Sequence, residues 1–61
     1  MTIPIDEQVK CVEREIGMRE RVYPRWIEAK RMTQKKADQE LEAMRAVLET
    51  LQNIQLTERL I

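Results

Sequence analysis

Tyr23-Pro24-Arg25-Trp26-Ile27-Glu28-Ala29-Lys30-Arg31-Met32-Thr33-Gln34 carries the two decisions on which the fold turns. The first is Pro24. Proline has no N–H for the carbonyl of Glu20, and its ring crowds that carbonyl. It also biases Tyr23 away from helical dihedrals. Either one long helix kinks at Tyr23-Pro24, or one helix ends there and another starts with Pro24 in its first turn. Ile5, Val9, Val12, Ile16, Tyr23 and Ile27 fall at helical spacing on one stripe that passes through Pro24 without a shift. The sequence therefore predicts a single kinked helix over residues 5–31. The second decision is Lys30-Arg31-Met32-Thr33, where the period stops. Basic residues suit a helix C-terminus, and Thr33 is a good N-cap for a following helix. No glycine marks the C-terminal cap.

Downstream, Ala37, Leu41, Met44, Leu48 and Leu51 recur in a 4-3-4-3 pattern, widened on one side by Ala43, Val47 and Ile54. This predicts a second helix over residues 34–54, with opposite charges four apart at Lys36–Glu40 and Arg45–Glu49. Gln52-Asn53 weakens it, leaving residues 55–61 as a tail that is either a last turn docked on a partner or a frayed end. Upstream, Pro4 suits a helix start, and Asp6 and Glu7 favour the first turn through the helix dipole. Gly17 lies inside the first helix and reads either as a point of close backbone approach or as a tolerated surface glycine.

Two helices joined by about four residues lie antiparallel. Counting back from the turn sets Trp26 opposite Ala37, Tyr23 opposite Leu41, Ile16 opposite Leu48 and Val12 opposite Leu51. The expected core is Val9, Val12, Ile16, Tyr23, Ile27, Leu41, Met44, Leu48 and Leu51. Cys11, Met18, Val22 and Ala29 form a second row on the first helix, with Trp26 between the rows and Arg19 and Lys30 near the edge of the main stripe. A two-helix hairpin needs one stripe per helix. The extra row and the wide second helix therefore predict an all-α hairpin that homodimerises into a four-helix bundle.

The chain of 61 residues is expected to form one small domain, and a domain of this size is marginal as a monomer. With one cysteine and no histidine, neither an intrachain disulfide nor a zinc staple is expected. Neither a cofactor nor a metal is expected. Histidine, the usual general base, is missing and no phosphate-binding glycine loop is present, so the chain reads as non-enzymatic. Met1 to Asp6 has neither a basic region nor an apolar run of the signal-peptide kind, and no stretch approaches a membrane span. A cytoplasmic protein with no membrane partner is the expectation.

The formal charge is zero but unevenly placed. Arg19 to Lys36 holds seven basic residues against two acids, while the segments before and after it carry net −2 and −3. In a hairpin this becomes a basic tip. It also holds the only Tyr and the only Trp, and Trp, Tyr and Arg are the types enriched at binding hot spots. The candidate partner-binding residues are Arg21, Val22, Arg25, Trp26 and Lys30. Tyr23 and Trp26 serve equally well as hairpin core. The same tip would suit phosphates, which makes a nucleic-acid-associated or phage accessory protein the second reading.

Arg21-Val22-Tyr23-Pro24-Arg25-Trp26, Lys30-Arg31-Met32-Thr33-Gln34, Lys36-Ala37-Asp38 and the later Met44 resemble a group of very short proteins encoded by temperate phages and prophages of proteobacteria. The likeness covers roughly Cys11 to Leu51. In size and layout the chain is also similar to the phage-encoded quorum-sensing anti-activators of Pseudomonas, which are dimeric helical hairpins. That resemblance implies binding and inhibition of a host regulator of the LuxR type, and possibly of a pilus-assembly ATPase. It carries over no contact residues.

Overall fold

A computed structural model describes residues 2–60 of the chain. Two helices follow one another, α1 (Ile5–Glu28) and α2 (Gln34–Arg59), with no strand among the described residues. Pro4 sits at the N-cap of α1, and its carbonyl accepts hydrogen bonds from the N–H groups of Glu7 and Gln8 at 3.1 and 3.2 Å. The Gln8 side-chain amide donates back to the carbonyl of Ile3 at 2.8 Å.

α1 continues unbroken through Pro24, so the chain does not restart there. The helix ends at Glu28, three residues before the expected boundary. The cause is local. Lys30 adopts φ 61°, its N–H bonds the carbonyl of Ile27 at 3.0 Å, and the N–H of Arg31 bonds that of Trp26 at 2.9 Å. This is a Schellman ending, in which the left-handed position is ordinarily glycine. A lysine there hides the stop from a sequence reader. Thr33 caps α2 as expected, its hydroxyl accepting from the Lys36 N–H at 3.1 Å.

α2 does not stop at residue 54 but runs to Arg59, so most of the expected tail is helical. Asn53 is a weak helix former, yet the next turn is tied to α1. Gln55 donates to Asp6 at 2.6 Å, and Arg59 approaches the same carboxylate at 3.9 Å. The part of the tail reading that concerns Ile61 lies outside the described residues.

The helices pack against each other antiparallel. Asp6 meets Gln55, Glu20 meets Arg45 at 3.5 Å, and Arg19 meets Glu40 at 3.9 Å. These pairs agree with the register counted from the turn. Arg45 thus turns across to α1 rather than along its own helix to Glu49, whereas Lys36 does pair with Glu40 at 3.1 Å. The resulting body measures 48 × 19 × 17 Å.

Burial is concentrated at four side chains. Val9, Ile16 and Tyr23, seven residues apart on α1, are buried, and Ala37 is their counterpart on α2. The remaining expected core residues, Val12, Ile27, Leu41, Met44, Leu48 and Leu51, face the seam but are only half-buried. Two helices line a seam without roofing it, and a chain this short has no third layer. Arg19 occupies the stripe between Ile16 and Tyr23. Its guanidinium bonds Glu15 at 3.0 Å, and that bond, foremost, raises its pKa. An ideal Cβ on Gly17 would meet nothing within 4 Å, so this glycine serves no close approach within the hairpin.

Candidate functional site

The turn builds an open groove of about 630 Å³ at the tip of the hairpin. Trp26 and Ile27 come from the last turn of α1, Lys30 to Thr33 from the loop, and Lys36 from the first turn of α2. The Schellman ending and the Thr33 cap fix both sides of this loop. The floor and wall are therefore held by backbone hydrogen bonds rather than by side-chain packing alone.

The aromatic pair divides its roles at this point. Tyr23 is 6% exposed and belongs to the core, whereas Trp26 is 43% exposed. Their ring centroids lie 5.8 Å apart with planes tilted by 38°, a favourable aromatic geometry. The buried ring braces the exposed one and presents a flat apolar surface to solvent.

Lys30, Arg31 and Lys36 share the groove with that surface. Among the described residues, no carboxylate lies within 4.0 Å of Arg21, Arg25, Lys30, Arg31 or Lys35. Each inter-helix ion pair instead sits along the body or at the far end. No acid occupies the first turn of α2, where Lys35 and Lys36 meet the positive end of the helix dipole. The tip thus combines an exposed indole with positive charge that the hairpin does not neutralise.

Of the candidate residues, the structure brings Trp26 and Lys30 to the groove. Arg21 and Arg25 lie exposed on α1 outside its lining, and Val22 is half-buried. Arg31 and Lys36, which belong to the basic tip expected from sequence, also line the groove, together with Ile27, expected in the core, and Met32, which the sequence did not single out. Met32, an apolar residue inside a basic turn, was the signal for its apolar part.

A second feature runs along one side of the body. Cys11 and Val12 of α1 line the same shallow groove as Val47 and Leu51 of α2, about 700 Å³ in volume. The Arg19–Glu40 pair lies between helices on this side. Val47 is exposed there, and the exposed Met18 and Ile54 follow Cys11 and Val47 by seven residues each, two helical turns. The opposite side carries the Glu20–Arg45 pair.

Among the described residues, no helix is long and apolar enough to cross a membrane. Comparison of the chain with family models, curated proteins and solved structures finds no match. The likeness to short phage proteins therefore rests on the quoted residues alone.

Proposed function

We propose that this protein is a non-enzymatic binding module whose hairpin tip docks on an acidic, partly apolar surface of another protein. The observation that carries this reading is the exposed, braced Trp26 among cations without partners inside the hairpin. An anchor of this kind fills a pocket while flanking guanidinium and ammonium groups meet carboxylates at its rim. Arg21, Arg25 and Val22 extend the same surface along α1, and the module works as a homodimer forming a four-helix bundle. The resemblance to short phage proteins extends the reading to a host regulatory protein, such as a LuxR-type transcription factor, bound in the cytoplasm of the bacterial host.

Five cations without partners also suit phosphate, and this is the observation behind the second reading, a nucleic-acid-associated protein. The two readings differ in salt dependence, because phosphate contacts release counterions and give a steep slope of affinity against salt. The test is capture of a partner from a bacterial lysate, followed by titration of the purified pair with the parent chain and with Trp26→Ala. The expected result is a protein partner whose affinity falls by roughly 30-fold or more in the variant. Equal binding by Trp26→Ala overturns the site. A tight, salt-sensitive complex with duplex or single-stranded nucleic acid in place of a protein overturns the class.

A further inference from the structure

We infer that the apolar side of the hairpin receives a second copy of this chain in antiparallel orientation, tip over open end, with α1 against α1 and α2 against α2. The inference rests on the homodimer reading above and adds the surface and the orientation.

Area supports a second copy as the occupant. The hairpin exposes 5208 Å², whereas a compact monomer of 7.3 kDa exposes about 4,200 Å² by surface–mass scaling. The excess is about 1,000 Å². A standard protein interface covers about 800 Å² on each partner. One such contact therefore brings this chain to ordinary compactness.

Charge decides the orientation. The segment 19–36 at the tip carries net +5, and the segments forming the rest of the body carry −2 and −3. Parallel stacking sets tip on tip and repels. Antiparallel stacking sets each tip over the acidic end of the other hairpin. With the two-fold axis at the middle of both helices, near Gly17 and Val47, each residue stands level with one equally far beyond the midpoint, to within about a helical turn. Arg25, two turns after Met18 on the same face, then stands level with Glu7 of the second copy. Glu7 lines the apolar groove, and neither residue has an ion-pair partner within its own hairpin. Cys11 stands level with Val22 of the second copy, and Val47 meets Val47.

The test combines sedimentation of the unmodified chain with oxidative cross-linking, scored as covalent dimer on denaturing gels. Cys11→Ser/Val47→Cys is expected to link across the axis, and Val22→Cys with native Cys11 is expected to link between copies. Ile54→Cys with native Cys11, which cross-links when the copies are parallel and α1 faces α2, is expected to give no covalent dimer. A sedimenting dimer with this pattern supports the inference. A dimer that fails to cross-link through Val47→Cys and Val22→Cys, or one that links through Ile54→Cys, overturns the orientation and leaves the homodimer standing. A chain that still sediments as a monomer at about 100 µM, far above the dissociation constants of typical specific complexes, overturns both.

Discussion

The tip and the open end of the hairpin differ in composition, the one basic and aromatic and the other acidic and aliphatic, and they are held by different forces. At the tip, Tyr23 and Ala37 are 6% and 2% exposed, the end of α1 is closed by backbone hydrogen bonds and the start of α2 by the Thr33 hydroxyl. Towards the open end Val9 is still enclosed at 5% exposed, but beyond it Ile3, Ile54, Leu56 and Leu60 are exposed, Leu60 to 81%, and the contacts from Asp6 to Gln55 and Arg59 face solvent. Exposed polar pairs contribute little, from nothing to about 1 kcal/mol each. The hairpin is therefore organised from its turn outward. The part that carries the candidate binding groove is also the part that the fold determines best.

The heaviest blow to this asymmetry is Tyr23→Ala. It removes the largest buried side chain at the tip and the brace of Trp26 together. A loss on the order of 3 kcal/mol is expected, read as a drop in the denaturation midpoint with a red shift of Trp26 fluorescence. Retention of the parent midpoint would show that the tip is not the stable end.

Lys30→Gly sharpens the contrast in the opposite direction. Left-handed dihedrals cost a residue with a Cβ about 1–2 kcal/mol that glycine avoids, so the variant is expected to gain roughly 1 kcal/mol. Thermal or chemical denaturation measures the gain. Loss of stability would mean that the lysine side chain contributes more than its backbone strain costs.

The smallest effect belongs to the open end. Leu56→Ser replaces an exposed side chain on the last turns of α2 and is expected to change stability by no more than about 0.5 kcal/mol. A larger loss in a dilute, monomeric sample would place Leu56 in a structural contact and erase the distinction between the ends.

Much of this was legible before the structure. The 4-3-4-3 row from Ala37 to Leu51 announces α2, the stripe from Ile5 to Ile27 announces α1, and Thr33 announces the cap between them. Three things were not. The end of α1 was hidden because the left-handed position holds Lys30, which has no turn signature of its own. The extension of α2 past residue 54 was hidden because the contact that accompanies it, Gln55 to Asp6, joins residues 49 apart in the chain. The depth of burial was hidden because periodicity gives the direction of a side chain and not what covers it. Val12 and Val9 share a stripe, yet only Val9 is enclosed. The site was legible in part for the same reason. Sequence placed Tyr23 and Trp26 near one another, but only packing separates the ring that is buried from the ring that is presented.

The seven-residue interval between Val9, Ile16 and Tyr23 has a consequence for how the molecule could vary in length. In a straight helix a seven-residue repeat drifts by only about 20° per interval, so Val9, Ile16 and Tyr23 stay on one seam. Every heptad is then equivalent to the next. Removing seven residues from α1 and the matching seven from α2 shortens the rod by about 10 Å and returns every remaining side chain to its former direction. Removing one residue rotates all that follows by about 100° and turns the seam outward. The distance from tip to open end is therefore adjustable in whole heptads only, with the turn and its groove untouched.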